Sequence, residues 1–301
     1  MSSISRRRFV AASLGAAAAL QVDTASADDG LDIIDVSGAD PKKMVAAAFA
    51  ALGGIGRFVH SGDFVVLKAN AGFANPPDWA TTTHPGTVAA VAQACLDAKA
   101  KQVVLVEFPQ GQADKAFDRS GMSAALSGLS GVKLKALAPD DFQRVDVKGG
   151  VSLKSVELAK LVLSADVLIN IPAAKAHRET GVSFGLKNHM GLIKDRQAFH
   201  QTLDLQQAVA DLGRVVTPSL TILDATRVLL TNGPAGPGDT ATLGRLVAGR
   251  RIASVDAYGL TLARFNGKNL TPADAKHIEL AGRAGLGNVD IAALRVKKVS
   301  A

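Results

Sequence analysis

Polar residues in this sequence gather where short apolar runs stop. Val65–Leu67 gives way to Lys68 and Asn70, and Val103–Val106 runs into Glu107. Val167–Ile171 leads to Lys175 and His177, and Leu220–Leu223 leads to Asp224. The densest stretch, 173–193, adds Arg178, Lys187, Asn188 and His189. Lys and Arg bring positive charge to an anionic ligand, Asn amides both donate and accept, and imidazoles shuttle protons near neutral pH or ligate metals. Lys68, Asn70, His84, Lys175, Lys187 and Asn188 are therefore the ligand-binding candidates, and His177, His189 and Asp224 the catalytic ones. His84 stands before Pro85 and a helical pattern, where free backbone N–H groups favour an anion. His177, His189 and Asp256 are the candidate metal ligands, although no tight H-x-x-x-H spacing occurs. His200 reads as a solvated helix residue, and His60 and His277 as ordinary structural histidines.

Other motifs compete. Gly181-Val182-Ser183-Phe184-Gly185 matches G-x-S-x-G, and Asp224 and His277 follow in the chain order of a serine hydrolase. That elbow must lie directly between a strand and a helix, whereas the strong apolar run ends earlier, at Ile171. Gly282, Gly285 and Gly287 have the reverse of the dinucleotide spacing and follow a helical pattern, so they read as a helix stop. No phosphate-loop motif is present.

These residues need a scaffold. Strand-like runs at Leu31–Val36, Phe64–Leu67, Val103–Val106, Val132–Leu137, Val167–Ile171, Leu220–Leu223 and Ile291–Val296 alternate with helical patterns. The helical patterns cover Pro41–Leu52, Pro85–Ala98, Ala113–Leu126, Ser155–Leu163, Leu203–Val215, Ile252–Phe265 and Pro272–Ala281. Continuous apolar runs separated by helices predict an α/β fold, a mostly parallel sheet flanked by helices. In such sheets ligands collect outside the strands' carboxyl ends, where the polar residues fall. The Gly- and Pro-rich segment Thr231–Asp239 reads as a connection or a lid.

The chain has 301 residues, 48% hydrophobic, 20% charged and 4% aromatic, with a formal charge of +7. A mild, scattered positive excess without basic–aromatic runs speaks against nucleic acid and is compatible with an anionic small molecule. Cys95 is the one cysteine, in a helical pattern with Val88, Val91 and Leu96, and reads as core. It cannot form an internal disulfide or hold an iron–sulfur cluster, which needs about four protein ligands. Ser5-Arg6-Arg7-Arg8-Phe9, an Ala-rich apolar stretch and Ala25-Ser26-Ala27 follow one another as a twin-arginine (Tat) signal peptide over residues 1–27. Its apolar stretch is too short for a membrane helix, which needs roughly 20 residues. Residues 28–301 are then a single α/β domain. The Tat translocase is the expected partner in export, and the expected location is periplasmic or secreted. The sequence carries no signal for oligomeric state.

The strings Val65-Val66-Leu67-Lys68-Ala69-Asn70, Thr82-Thr83-His84-Pro85, Asp166-Val167-Leu168-Ile169-Asn170-Ile171-Pro172-Ala173-Ala174-Lys175-Ala176-His177 and Leu186-Lys187-Asn188-His189-Met190-Gly191-Leu192-Ile193 resemble the family called domain of unknown function 362, over roughly residues 63 to 290. The resemblance implies an α/β fold and a Lys/His/Asn cluster, and carries no established reaction. Relatives often append a cysteine-rich ferredoxin segment, which this chain lacks. Ala173 stands where they often have Lys, and around Arg251–Asp256 only Asp256 remains of an acidic pair. The expected function is an exported enzyme that binds an anionic small molecule or cofactor, with or without a metal. The alternatives are a non-catalytic periplasmic ligand- or cofactor-binding protein and a serine hydrolase at Ser183.

Overall fold

The computed structural model describes residues 30–301; the signal-peptide reading of residues 1–27 lies outside the described residues. The strands are β1 (Ile33–Ser37), β2 (Phe64–Ala69), β3 (Gln102–Glu107), β4 (Val132–Ala136), β5 (Phe142–Asp146), β6 (Ser155–Ala159), β7 (Val167–Ile171), β8 (Ala173–His177), β9 (Gly181–Ser183), β10 (Leu220–Leu229), β11 (Thr240–Gly249) and β12 (Val296–Ser300). The main sheet runs in the order β12-β1-β11-β10-β7-β2-β3-β4, with β8 against β10 and β9 against β8. β5 and β6 form a separate antiparallel pair. Within the main sheet only the pairs made by β11 and the β8–β9 pair are antiparallel. The fold is α/β, with a mostly parallel sheet flanked by helices.

The central strands are largely apolar because both faces are covered, with Lys68, Glu107 and Asn170 as the buried polar residues toward their carboxyl ends. Their side chains alternate between two cores. Val65 and Leu67 of β2, Val103 and Leu105 of β3, and Val167, Ile169 and Ile171 of β7 pack with the helices Pro41–Ala51 and Pro85–Asp97. Val66, Val104, Val106 and Leu168 point the other way, toward Leu186, Val209 and Val255. Cys95 lies fully buried in the first core, where burial pushes its thiol up to about 12. It is a packing residue, as its helical spacing suggests.

The site opens where the sheet splits. β7 pairs with β2 from Val65↔Val167 to Ala69↔Ile171. Pro172, which has no N–H to give, follows. Beyond it β8 continues along β10 (Asp224↔Ala173, Leu229↔Lys175) and turns back into β9. The chain that pairs with β2 as β7 therefore leaves it and continues along β10 as β8, and the segment after β9 fills the gap at the carboxyl end of β2.

Several local expectations change. The segment from Ser155 begins as strand β6 and becomes a helix only at Lys160–Ser164, because its first residues pair with β5. The helix expected over Ala113–Leu126 is two, Ala113–Arg119 and Met122–Leu126, broken at Gly121, whose φ is +78°. The C-terminal helix spans Lys276–Arg283. The segment Thr231–Asp239 is the connection between β10 and β11 and packs as a fixed wall. Asn75 Nδ2 donates to Ala235 O at 2.9 Å, and a Cβ on Gly233 would sit 1.8 Å from Ala176 O.

Candidate functional site

A cleft of about 550 Å³ lies at the carboxyl ends of β2, β3 and β8. Its floor is a buried ionic network. Lys68, fully buried at the end of β2, donates to Glu107 Oε2 at 2.9 Å, Asn188 Oδ1 at 3.1 Å and Ala69 O at 2.5 Å. Burial pulls the Lys68 pKa down and Glu107 opposes that pull. Glu107 Oε2 also accepts from Ala71 N, and Oε1 accepts from Phe108 N. Asn188 Nδ2 spends both hydrogens, on Lys68 O and Asn170 Oδ1, each at 2.9 Å. Gly191 closes over this network. A Cβ there would stand 1.9 Å from Glu107 Oε1 and 2.7 Å from Lys68 Cε, so only glycine fits. The short helix Gly185–Asn188, which carries Lys187 and Asn188, is pinned from behind. Asp256 accepts from Gly185 N at 2.8 Å and Leu186 N at 2.9 Å.

Above this floor are cations without carboxylates. Lys175 of β8 is fully buried. It donates to Thr81 O and, at 3.4 Å, to Asn70 Oδ1, and its ammonium lies 4.4 Å from the Phe73 ring centroid. Burial lowers its pKa to about 7; Glu107 opposes this, while Lys68 and Lys187 add to it. Lys187 is 7% exposed, bonds only to Met190 Sδ at 2.8 Å, and is lowered by burial to about 8. Neither lysine forms an ion pair with any described carboxylate. Arg196 lies over the Phe108 ring at 4.8 Å, and Arg178 stands exposed at the rim.

His177 also lines the cleft. Its Nδ1 accepts the backbone N–H groups of Glu179 (3.1 Å) and Thr180 (3.4 Å). That pattern assigns the proton to Nε2. Burial, then Lys187 and Lys175, push its pKa down to about 2. The ring is a neutral donor at physiological pH. His200 stacks on it at 6.4 Å and bonds Glu179.

The structure brings Asn70, Lys175, His177, Lys187 and Asn188 to the cleft wall. The other candidates sit elsewhere. Lys68 lies behind the wall, paired with Glu107, and the Asn188 amide is used up in orienting it. His84 caps the helix Pro85–Asp97 through its own Nδ1, which accepts Gly86 N at 3.0 Å, so the expected anion seat there is taken by its imidazole. Asp224 holds His84 N at 2.7 Å and Thr226, fixing the Thr81–His84 turn. His189 is fully buried away from the cleft, lowered by burial to about 3, with both ring nitrogens unpartnered among the described residues. Asp256, raised by burial to about 7, serves the helix start. His177, His189 and Asp256 do not converge, and among the described residues no three His, Cys, Asp or Glu gather as a metal site.

Ser183 does stand between a strand and a short helix, β9 and Gly185–Asn188, contrary to the reading from Ile171. It lines the cleft, but Asp224 is spent on His84 and Thr226, and His277 Nδ1 bonds Gln206 at 2.8 Å. No Ser–His–Asp relay forms. Glu107, Phe73, Arg196 and His200 are among the wall residues to which the sequence reading gave no site role. Glu107 was visible as the first polar residue after an apolar run. Arg196 and His200 come from a segment whose helical character hides which way it faces.

Removing one partner of a buried ion pair leaves the other uncompensated, a cost of about 3–5 kcal/mol. Glu107→Gln is expected to lower unfolding stability by about that much in denaturant titration. The double variant Lys68→Met/Glu107→Gln should recover part of the loss.

Comparison with known proteins adds three findings. A family described as domain of unknown function (DUF362) matches residues 65–261. The thylakoid-associated protein sll1697 of Synechocystis sp. is 29% identical over 248 residues, 78% of this chain and 72% of that protein. The lactate racemase apoprotein from Thermoanaerobacterium thermosaccharolyticum is a structural match with a TM-score of 0.47 and 10% identity, over 77% of this chain and 57% of that one. The family match spans β2 to the helix Ile252–Gly259, and so contains every residue of the buried floor and both unpaired lysines: the chain belongs to the DUF362 family.

Proposed function

We propose that the cleft binds an anionic small molecule or cofactor, held by Lys175 and Lys187 with Arg196 at its edge and His177 Nε2–H as a neutral donor. One observation carries this reading. Two buried ammonium groups open on the same cleft, and no carboxylate of the described residues pairs with either. A buried charge without a partner costs free energy or is discharged. A bound anion would supply the missing charge to both lysines at once. A volume of about 550 Å³ suits a compact organic ligand.

The arrangement favours binding over histidine-based acid–base chemistry, because His177 stays neutral and spends its acceptor on backbone. The serine-hydrolase reading lacks its relay, and metal assistance lacks converging ligands among the described residues. An exported enzyme and a non-catalytic periplasmic binding protein both remain within this proposal, and turnover of a bound ligand separates them. The residues from Ser5 to Ala27 support export through the Tat translocase to the periplasm. Replacing Arg6 and Arg7 with Lys should retain the protein in the cytoplasmic fraction; undiminished periplasmic protein would contradict export.

The pH dependence follows in sign. Lys175 and Lys187 are half discharged at about pH 7 and about pH 8. Unfolded lysines stay charged to a pH of about 10.4. Between those limits the unfolded chain binds more protons, so stability of the empty protein rises with pH. Anion affinity does the opposite and falls as the lysines discharge. In calorimetric titrations with phosphate, citrate and pyrophosphate, binding should be tightest at about pH 6.5 and weaken toward about pH 9. Lys187→Met should weaken it about tenfold or more, since a hydrogen bond to a charged group is worth about 1.5–3 kcal/mol. No measurable binding of any of the three anions at the lower pH would contradict the reading.

A further inference from the structure

The lysines of the site differ in what their nitrogens touch. Lys68 Nζ has three oxygen partners. Lys175 Nζ has two oxygens and an aromatic face. Lys187 Nζ has a single partner, the thioether of Met190, and a thioether is a weak acceptor. The residue is nonetheless almost wholly buried and lines the cleft. An ammonium with one weak acceptor is poorly served there; a neutral amine, needing fewer acceptors and no counter-charge, is served well. Glu179 favours the ammonium, while burial and Arg196 disfavour it, leaving the pKa at about 8, so near neutral pH the larger share is the ammonium that draws an anion and a smaller share is the free amine. His177 and His277, lowered to about 2 and about 3, contribute no positive charge at neutral pH. The amine is also fixed in place. Its helix is held by Asp256 on one side and by Asn188 on the other. A positioned, largely desolvated amine facing a cationic cleft is the arrangement of an imine-forming lysine.

We propose that Lys187 is a nucleophile that forms an imine with an anionic carbonyl compound, such as a 2-oxo acid, whose carboxylate is drawn to Lys175 and Arg196. This inference rests on the anion-binding reading and gives it a substrate class. The free-amine lone pair of Lys187 bonds to the carbonyl carbon, and the C=O π pair moves to oxygen. That oxygen takes one proton from water and the nitrogen releases one to water. The carbinolamine oxygen then takes a second proton and leaves as water, while the nitrogen loses its remaining excess proton. The result is a C=N bond and one water released. No oxidant or reductant takes part, and hydrolysis reverses the step.

Reductive trapping tests it. The folded full chain is incubated separately with pyruvate, glyoxylate, 2-oxoglutarate and pyridoxal 5′-phosphate, each with sodium cyanoborohydride. Adducts are located by peptide mass mapping. The expected result is one adduct per chain at Lys187 with at least one of the four, forming well ahead of adducts at the exposed Lys133 and Lys297. Trapping should slow as pH drops below about 8 and be blocked by excess citrate. Lys187→Arg and Lys187→Met should both abolish it, with the wild-type circular dichroism spectrum showing that each is folded. Adducts spread evenly over exposed lysines, or none at Lys187 with any of the four, would overturn the proposal. Calorimetry with phosphate and citrate reads the underlying anion site separately. Anion binding without trapping refutes the imine alone, and absence of both refutes the two together.

Discussion

The site depends on one buried ion pair. Lys68 closes β2 and Glu107 closes β3, and their 2.9 Å contact ties the two strands together where the sheet splits. Neither side chain is exposed to water, so each is tolerable only because of the other and because amides and backbone groups satisfy the remaining positions. Asn188 joins the pair to the segment after β9, and Gly191 lies directly on it with no room for a side chain. The strand ends, the short helix and the turn after it are therefore one polar unit, and the position of Lys187 is a consequence of it.

The same pair sets the charge balance of the cleft. Glu107 is the one carboxylate of its floor, and it is committed to Lys68. Glu179, at the rim, is bonded to His200. Lys175 and Lys187 are left to burial, which lowers both, and His177 and His277 are held neutral by the same burial and by the lysines' own field. Positive charge without an ion-paired carboxylate among the described residues is thus concentrated on Lys175 and Lys187. Their protonation is linked to whatever anion occupies the cleft, since binding raises the pKa of each lysine it touches.

The sheet was legible because its central strands follow a simple rule: runs largely apolar on both faces, ended by a polar residue or, for β7, by Pro172. That rule located β2, β3, β7 and the start of β10, and with them Lys68, Glu107 and Asp224. It was blind to β8 and β9. There the run Ala173–His177 mixes Ala, Lys and His, and is a strand because β10 offers it a pairing edge beyond Pro172. Site composition was legible and the division of labour was not. Lys68, Lys175 and Lys187 are the same residue type in similar contexts, and only coordinates separate a lysine paired with Glu107, one bonded to Thr81 and Asn70, and one left with Met190. His84 and Asp224 lie off the cleft for a related reason. His84 accepts a backbone N–H of its own helix start, and Asp224 accepts one from the distant His84 and one from Thr226, obligations that sequence spacing does not display.

Whether the cleft holds uncompensated charge is most directly measured by NMR titration of the lysine side chains, with Lys175→Met and Lys187→Met as assignments. Lys175 should titrate at about 7 and Lys187 at about 8, both far below the exposed lysines, and both should move upward when phosphate is added. Every lysine titrating near the ordinary value of about 10.4, with no response to the anion, would contradict it.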